Sequence, residues 1–274
     1  MSDLAEYIVD AELPVTERFD VYPEIDPTKH FVDKTSKGKV FLITGVSRGI
    51  GKELAISYAE AGASLIFCSR TPKTLEEVKQ EVLRTDLATE VVSVVTDVIE
   101  VKQVEALVKA GVDRFGRLDM AIANAEKLTD RDARRHSLLM MSASGMIYRI
   151  CILSALGEQD PFAWWSVLEV NLRGTHSLAH FTLPHLAKTN GYFVAILSLG
   201  SQLLVPNGSA YVISKRGVNR LIEFVALEHP NVKAFALHPG VVLTEMNIQS
   251  GFKPVHAIGL LVATTVYLTS GNAD

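Results

Sequence analysis

The stretch TGVSRGIG, residues 44–51, ends a short apolar run and leads directly into a segment of helical character. Gly45 allows a tight turn, Gly49 lets the backbone approach a pyrophosphate, and Gly51 permits close packing of the helix. The unpaired N–H groups at the start of that helix favour bound phosphates. A glycine triplet alone is a weak signal, but its position between the first strand and the first helix predicts a dinucleotide-binding loop.

Short β-branched runs alternate with amphipathic helical segments from Lys39 onward. The runs are VFLIT, SLIFCS, VVSVVTD, LDMAIAN, YFVAILS and VKAFALH. Strands that alternate with helices of this length are joined by right-handed crossovers into a parallel sheet covered on both faces. The pattern therefore predicts one α/β domain over residues 39–274, with a doubly wound parallel sheet of the Rossmann type. Residues 1–38 are interpreted as an N-terminal arm that lies on this domain.

The composition restricts the classes of protein to which the chain can belong. Of 274 residues, 48% are hydrophobic, and the formal net charge of −4 argues against nucleic acid as a partner, because phosphate binding needs a concentrated basic surface. Cys68 and Cys151 are too few for a disulfide framework and lack metal-ligand spacing, so we expect no metal and a reducing, cytoplasmic compartment. The N-terminus lacks a secretory pattern, and the longest apolar stretches are shorter than the ~18 to 20 residues a bilayer requires.

The second predicted strand ends at Ser69 and Arg70, where a dinucleotide fold meets the adenosine ribose. An acidic residue there would bind the ribose hydroxyls of NAD and repel a 2′-phosphate, whereas a small hydroxyl followed by arginine suits that phosphate. Arg48, inside the glycine loop, can reach the same place. The sequence thus predicts NADP(H) in preference to NAD(H), although arginines at turns are also ordinary surface residues.

A tyrosine and a lysine, Tyr211 and Lys215, are spaced by four residues in SAYVISKR. On a helix these two side chains share one face, so the lysine ammonium would lie near the phenol ring. An unperturbed tyrosine titrates near pH ~10, and an adjacent cation favours the phenolate. The pair is a candidate acid or base, but the spacing alone is weak, since most such pairs are solvated helix surface.

A set of motifs follows in order from about Gly38 to the end of the chain. The motifs are TGVSRGIG, Asp97 after the third strand, ANA at 123–125, Asn171 in VLEVNLRGT, Ser198 in ILSLGS, Tyr211 and Lys215 in YVISK, and HPGVVLT at 238–244. Their joint order and spacing, including the thirteen positions between Ser198 and Tyr211, resemble the short-chain dehydrogenase/reductases.

The resemblance implies roles for four catalytic residues. Tyr211 would be the general acid in carbonyl reduction, or the base in alcohol oxidation, and Lys215 would lower its pKa and bind the nicotinamide ribose. Ser198 would hold the substrate oxygen, and Asn171 would support a water and the lysine in a proton relay.

The resemblance also implies a set of cofactor-binding residues. For Asp97, Asn124 and Thr244 taken singly, a cap or turn role fits at least as well. The implied set is Gly45, Ser47, Arg48, Gly49, Ile50, Gly51, Ser69, Arg70, Asp97, Val98, Asn124, Tyr211, Lys215, Pro239, Gly240, Val242 and Thr244.

These residues favour an NADPH-dependent oxidoreductase that reduces a carbonyl to a secondary alcohol, or catalyses the reverse reaction, on a small or medium hydrophobic substrate. Two alternatives stay open. The first is a catalytically silent NADP-binding sensor or interaction protein, and the second is a relative that uses the same tyrosine for dehydration or epimerisation. The resemblance also leaves open a homo-oligomer.

Glu126 departs from the family pattern, which usually has glycine after the alanine of the fourth-strand motif. A glutamate adds bulk and negative charge near the nicotinamide pocket, where it could weaken cofactor binding. Alternatively the chain turns outward at this point, and the carboxylate faces solvent.

The interval between Glu126 and Asn171, 45 residues, is roughly twice the usual one, which predicts an insertion at about 127–160. The insertion is interpreted as a lid beside the active site, as plain packing, or as the product of a splicing error that leaves an exposed apolar loop. As a lid, it would line a hydrophobic pocket with Met140, Met141, Met146 and Tyr148.

The sequence stops at TSGNAD, just after a helix predicted to begin near Pro254. We therefore expect the family's last strand to be missing and one sheet edge to be exposed. The N-terminal arm or a partner subunit is expected to complete that edge, unless the chain is a truncated isoform of marginal stability.

Overall fold

The computed structural model describes residues 18–128, 137–141, 147–151, 155–244 and 255–271. Within them the strands are β1 (Val40–Thr44), β2 (Ser64–Ser69), β3 (Val91–Val95), β4 (Met120–Ala123), β5 (Ser137–Met141), β6 (Ile147–Cys151), β7 (Tyr192–Ile196) and β8 (Lys233–Leu237). The helices are α1 (Thr28–Val32), α2 (Gly49–Glu60), α3 (Pro72–Thr85), α4 (Val101–Phe115), α5 (Pro161–Leu168), α6 (Gly174–Thr189), α7 (Ser209–Glu228) and α8 (Ile258–Thr269).

Six parallel strands form the central sheet in the order β3-β2-β1-β4-β7-β8. Phe41 of β1 lies opposite Leu65 of β2 on one side and Met120 of β4 on the other. The direction of the connections reverses between β1 and β4, and in such sheets ligands bind in the crevice beyond the carboxyl ends of the strands at that point. The predicted doubly wound Rossmann fold is confirmed.

The central strands are apolar on both faces because helices cover both faces of the sheet. Every residue of β1 is buried. On one face Ile43 packs with α2, α3 and α8, and on the other Leu42 packs with α4, α6 and α7. This two-sided core fixes the carboxyl ends of β1, β4 and β7, which carry the candidate site.

The predicted insertion contains a separate two-stranded antiparallel sheet formed by β5 and β6. Its backbone pairing places Met140 opposite Tyr148. The interpretation of Met140, Met141, Met146 and Tyr148 as a pocket lining falls outside the residues whose side chains the structure describes. A lid at this place therefore stays a prediction.

The described part of the arm packs near the start of α8. Phe19 O accepts a hydrogen bond from Ala257 N at 2.9 Å, and the Phe19 ring lies 5.2 Å from the ring of His256. Residues 18–38 form a turn at Pro23–Ile25 and α1 rather than a strand, so this portion of the arm does not extend the sheet beyond β8. In the described residues α8 begins at Ile258, later than the predicted Pro254.

A search of the described helices for a membrane span found none with the required length and apolar character.

Candidate active site

The glycine loop between β1 and α2 is shaped by close contacts with the end of β4. Gly45 has a φ of +73°, and a Cβ atom at this position would lie 2.8 Å from Ala125 Cα. A Cβ atom at Gly51 would lie 2.4 Å from Asn124 Nδ2 and 2.6 Å from Gly45 O. Both positions therefore require glycine, Gly45 for its backbone and Gly51 for the approach of β4.

The first turn of α2 opens toward the same loop. Arg48 is the exposed N-cap residue, with an extended backbone and no side-chain hydrogen bond that caps the helix. Ile50 is buried and anchors the turn in the core, whereas Ser47 is half-buried. Since the first N–H groups of a helix have no intrahelical partner, this turn presents donors to an anion.

Asn124 joins the end of β4 to the glycine loop. Its Nδ2 donates to Thr44 O at 2.9 Å and to Gly45 O at 3.0 Å. The Thr44 hydroxyl in turn accepts the backbone N–H groups of Asn124 and Ala125, both at 3.1 Å. The amide donors of Asn124 thus hold the glycine loop in place. This is the turn role that the sequence left open for Asn124 as an alternative to cofactor contact.

The end of β2 carries Ser69 and Arg70, the residues predicted to meet the adenosine ribose. Ser69 is buried, and its hydroxyl donates to Thr71 O at 3.2 Å. Arg70 is exposed and immediately precedes the turn into α3. The arginine is therefore accessible to a phosphate, whereas the serine hydroxyl already has an internal acceptor.

The loop after β3 places Asp97 and Val98 at the same edge of the sheet. Asp97 Oδ1 accepts from Ile99 N at 3.3 Å, and Asp97 N donates to Gln103 Oε1 at 2.9 Å, so Asp97 organises the turn into α4. Val98 is buried, and a Cβ atom at Gly174 would lie 2.9 Å from its Cγ2.

The segment after β8 folds back over the glycine loop. Pro239 is half-buried and leads into Gly240, which has a φ of +75°. Val242 is buried and forms a single parallel bridge with His256. A Cβ atom at Gly49 would lie 3.4 Å from Thr244 Cγ2, which places Thr244 beside the loop.

Ser198, Tyr211 and Lys215 meet beyond the end of β7. The Lys215 Nζ lies 5.5 Å from the centroid of the Tyr211 ring on the same face of α7. The Ser198 hydroxyl accepts from Gly200 N at 3.1 Å. A Cβ atom at Gly200 would lie 3.4 Å from Ser198 Oγ and 3.7 Å from Tyr211 Cε1, so the serine and the tyrosine face the same small space.

Lys215 is buried, with 3% of its side chain exposed, and its ammonium has two partners. Nζ donates to Ile196 O at 2.9 Å and forms an ion pair with Glu126 Oε2 at 2.6 Å. The Oε2 atom is buried, and its contact with the ammonium lacks the angles of a regular hydrogen bond. The interpretation in which Glu126 faces solvent is therefore wrong, because the carboxylate points into the site.

The surroundings of Tyr211 raise the pKa of its phenol well above the usual value. Burial is the main cause, since the hydroxyl lies in the dense part of the site although the residue as a whole is half-buried. The negative charge of Glu126 acts in the same direction, and a hydrogen bond with Ser198 opposes them. This direction is opposite to the one predicted from Lys215 alone, because burial and the charge of Glu126 both disfavour the phenolate.

Asn171 lies in a π-helical segment, Glu169–Arg173, between α5 and α6. Its Oδ1 accepts from Lys127 N at 2.7 Å, while Nδ2 donates to Lys127 O and Ser214 Oγ, both at 2.9 Å. A π-turn of this kind is frequent at functional sites. The side chain thus links the loop after β4 to α7, and its predicted support of a water and the lysine in a proton relay stays a prediction.

Sequence reasoning missed two residues of this site, Lys127 and Ser214. The backbone N–H of Lys127 donates to the Asn171 side chain, and the carbonyl of Lys127 and the hydroxyl of Ser214 accept from it. The position of Ser214 one residue before Lys215 was the available signal, since the two residues necessarily share the first turns of α7.

Comparison with known proteins finds many that are similar. A family model described as short chain dehydrogenase matches residues 39–253. A short chain dehydrogenase of Monascus purpureus is 32% identical over 264 residues, which cover 91% of this chain and 80% of that protein. A short chain dehydrogenase of Aspergillus terreus is 31% identical over 237 residues, which cover 84% of this chain and 46% of that protein, so this chain spans less than half of its length.

Two solved structures illustrate the similarity of the fold. The alcohol dehydrogenase of the archaeon Thermococcus sibiricus, complexed with 5-hydroxy-NADP, has a TM-score of 0.70 and 27% identity, covering 85% of this chain and 92% of that chain. Levodione reductase has a TM-score of 0.74 and 25% identity, covering 86% of this chain and 92% of that chain.

Proposed function

The chain belongs to the short-chain dehydrogenase family, and we propose that it is an NADPH-dependent oxidoreductase that interconverts a carbonyl group and a secondary alcohol. The observation that carries the proposal is the meeting of Ser198, Tyr211 and Lys215 beyond β7. They lie at the carboxyl edge of the sheet, as the glycine loop does, so a dinucleotide and a substrate oxygen would share one crevice.

The glycine loop fits the phosphates of such a cofactor. Gly45 and Gly51 let the loop pack closely against the end of β4, and the first turn of α2 presents backbone donors to an anion. Thr244 borders the loop beside Gly49. At the other end of the site, Lys215 is the cation that we propose binds the nicotinamide ribose, although it also pairs with Glu126.

Tyr211 is the proposed general acid and base. In reduction the phenol of Tyr211 donates a proton to the oxygen of the former carbonyl. In oxidation its phenolate accepts the proton of the alcohol. The Ser198 hydroxyl, which faces the same space, would hold that oxygen by a hydrogen bond. The nicotinamide, when bound, supplies or accepts the hydride.

The proposed preference for NADP(H) rests on the end of β2. Arg70 is exposed beside Ser69, and no acidic residue stands at that position to repel a 2′-phosphate. The Thermococcus sibiricus enzyme in complex with 5-hydroxy-NADP is a relative that supports this preference. The buried thiol of Cys68 is in keeping with the proposed reducing, cytoplasmic compartment.

Calorimetric titration with NADPH and NADH side by side tests the proposal. We expect tighter binding of NADPH, and the Arg70→Asp variant should weaken NADPH binding by about tenfold or more, with little effect on NADH. The matched control is Arg84→Asp, which makes the same change of charge at the opposite, exposed end of α3.

The activity arm of the same test uses small and medium hydrophobic ketones and aldehydes. Oxidation of NADPH should depend on Tyr211, with kcat falling by about a hundredfold or more in Tyr211→Phe while NADPH still binds. A folded protein that binds neither nucleotide, or one that binds them without turnover of any carbonyl, would contradict the proposed function.

A further inference from the structure

We propose that Glu126, in addition to burial, holds Tyr211 in its acid form, so that the site favours giving a proton to a carbonyl over taking one from an alcohol. Only the second half of this inference, the preferred direction, rests on the proposed function. The first half concerns two side chains of this protein and can be measured with neither cofactor nor substrate present.

The geometry of the ion pair is the basis of the proposal. Glu126 Oε2 lies 2.6 Å from Lys215 Nζ, and 20% of the glutamate side chain and 3% of the lysine side chain are exposed. A buried lysine 5.5 Å from the Tyr211 ring would otherwise stabilise the phenolate by its charge. Since a carboxylate balances that charge at contact distance, the phenol faces a neutral pair instead of an isolated cation.

The carboxylate also acts on the phenol directly. A phenolate at Tyr211 would be a second negative charge in the same poorly solvated space as Glu126, and like charges that share a site disfavour ionisation. The charge of Glu126, which repels a phenolate, and its hydrogen bond with the phenol hydroxyl both raise the pKa of Tyr211. The Ser198 hydroxyl is the group that opposes them.

The backbone on both sides of Glu126 is fixed, which holds its side chain toward α7. Ala125 N donates to the Thr44 hydroxyl at 3.1 Å, and Lys127 N donates to Asn171 Oδ1 at 2.7 Å. These two hydrogen bonds anchor the loop to β1 and to the π-helical segment. A turn of the carboxylate away from Lys215 would leave the buried ammonium without its counter-ion.

Other charged groups on the adjoining elements are engaged elsewhere. Arg216 follows Lys215 on α7 but donates to Gln202 Oε1 at 2.8 Å. On the neighbouring segments, Lys127 Nζ donates to Ser166 Oγ at 2.9 Å, Glu169 pairs with Arg173, and His238 Nδ1 accepts from Leu199 N at 3.2 Å. In the described site, Glu126 is therefore the charge that raises the pKa of Tyr211, and Lys215 lies 5.5 Å from the Tyr211 ring.

The experiment is a spectrophotometric pH titration of tyrosinate in the cofactor-free protein. Subtracting the titration of Tyr211→Phe isolates the signal of Tyr211 from those of the other tyrosines. In Glu126→Gln, which keeps the size of the side chain and removes its charge, we expect the pKa of Tyr211 to fall by about one to three units. The matched control is Glu169→Gln, which removes a carboxylate from a nearby, more exposed ion pair and should leave that pKa unchanged.

A Tyr211 pKa that stays within about half a unit in Glu126→Gln, with the protein folded by circular dichroism, would overturn the proposal. If that variant does not fold, Glu126→Gly replaces it, because glycine is the usual residue of the family here and leaves the backbone bonds of 125 and 127 intact. No nucleotide or carbonyl is present, so failure of the proposed oxidoreductase activity would not affect the titration.

The direction of the reaction is tested separately in protein that shows turnover. The pH at which alcohol oxidation reaches half of its maximal rate should move down in Glu126→Gln by the same number of units as the pKa of Tyr211. If the pH profile of alcohol oxidation does not shift although the pKa of Tyr211 falls, the effect of Glu126 on Tyr211 stands. The proposed part of Glu126 in the direction of catalysis is then refuted.

Discussion

At the scale of single residues, the chemistry of the site depends on which charges are balanced around Tyr211. Lys215 is bound on two sides, by Ile196 O and by Glu126, and it cannot approach the phenol without loosening one of them. Burial disfavours every uncompensated charge, so the three groups form one electrostatic unit. A change at one of them is therefore expected to appear in the stability of the whole protein.

We predict that Lys215→Met destabilises the protein by about 3 kcal/mol, because it leaves the buried carboxylate of Glu126 without a counter-ion. The double variant Lys215→Met with Glu126→Gln should recover most of this loss, since no buried charge remains. Urea unfolding monitored by circular dichroism measures both.

The exposed pair Lys109 and Asp113 supplies the control for this prediction. Lys109→Met should change the free energy of unfolding by at most ~0.5 kcal/mol, because a solvated pair contributes little. If Lys215→Met lowers the free energy of unfolding no more than Lys109→Met does, the ion pair with Glu126 does not stabilise the folded state.

At the scale of elements, the site depends on the distance between the glycine loop and the end of β4. Asn124 reaches across from β4 and uses its amide donors on the backbone of residues 44 and 45. Gly51, in the first turn of α2, passes directly beneath that amide. The loop is therefore shaped by side chain to backbone bonds over about 80 residues of sequence as well as by its own glycines.

We predict that Gly51→Ala weakens NADPH binding by about tenfold or more. Its methyl group would lie 2.4 Å from Asn124 Nδ2 and 2.6 Å from Gly45 O, so the loop must shift, and overpacking of this kind costs about 1 to 3 kcal/mol. Calorimetric titration with NADPH measures the change. In Gly157→Ala the added Cβ meets nothing within 4 Å, and affinity should be unaltered; equal affinities in the two variants would show that the loop tolerates the shift.

The elements themselves were accessible from the sequence, whereas the contacts between them were only partly so. The alternation of β-branched runs and amphipathic segments predicted the succession of the strands along the chain and their parallel direction, because these follow from local pattern and crossover handedness. The side-chain direction of Glu126 did not follow, since it depends on Thr44 and Asn171, which hold its neighbours from 81 and 44 positions away. For the same reason, no local pattern indicated that Asn171 bonds to the backbone of Lys127.

At the scale of the whole molecule, the two-sided core buries several groups that ionise at alkaline pH. Cys68 and Tyr58 are fully buried on β2 and α2, and burial raises the pKa of the Cys68 thiol to about 12 and that of the Tyr58 phenol well above its usual value. The pKa of the Tyr211 phenol is raised in the same way. In the unfolded chain these groups ionise near their ordinary pKa values, so the folded protein binds more protons than the unfolded chain in alkaline solution.

We predict that the free energy of unfolding falls as the pH rises from about 9 toward 12. Stability depends on pH through the difference in bound protons, so each group that stays protonated only in the folded state lowers it by about 1.4 kcal/mol per pH unit. For Cys68 the loss begins near the usual thiol pKa of 9.0 and ends near the folded value of about 12. Below pH 8 these groups are protonated in both states and contribute no slope. Urea unfolding at intervals of half a pH unit measures the curve, and Cys68→Ala should reduce the steepness of its fall between pH 10 and 11 by about 1.3 kcal/mol per unit. A slope equal to that of the unsubstituted protein would mean that the thiol ionises in the folded state, which a residue fully buried in the sheet does not permit without local opening.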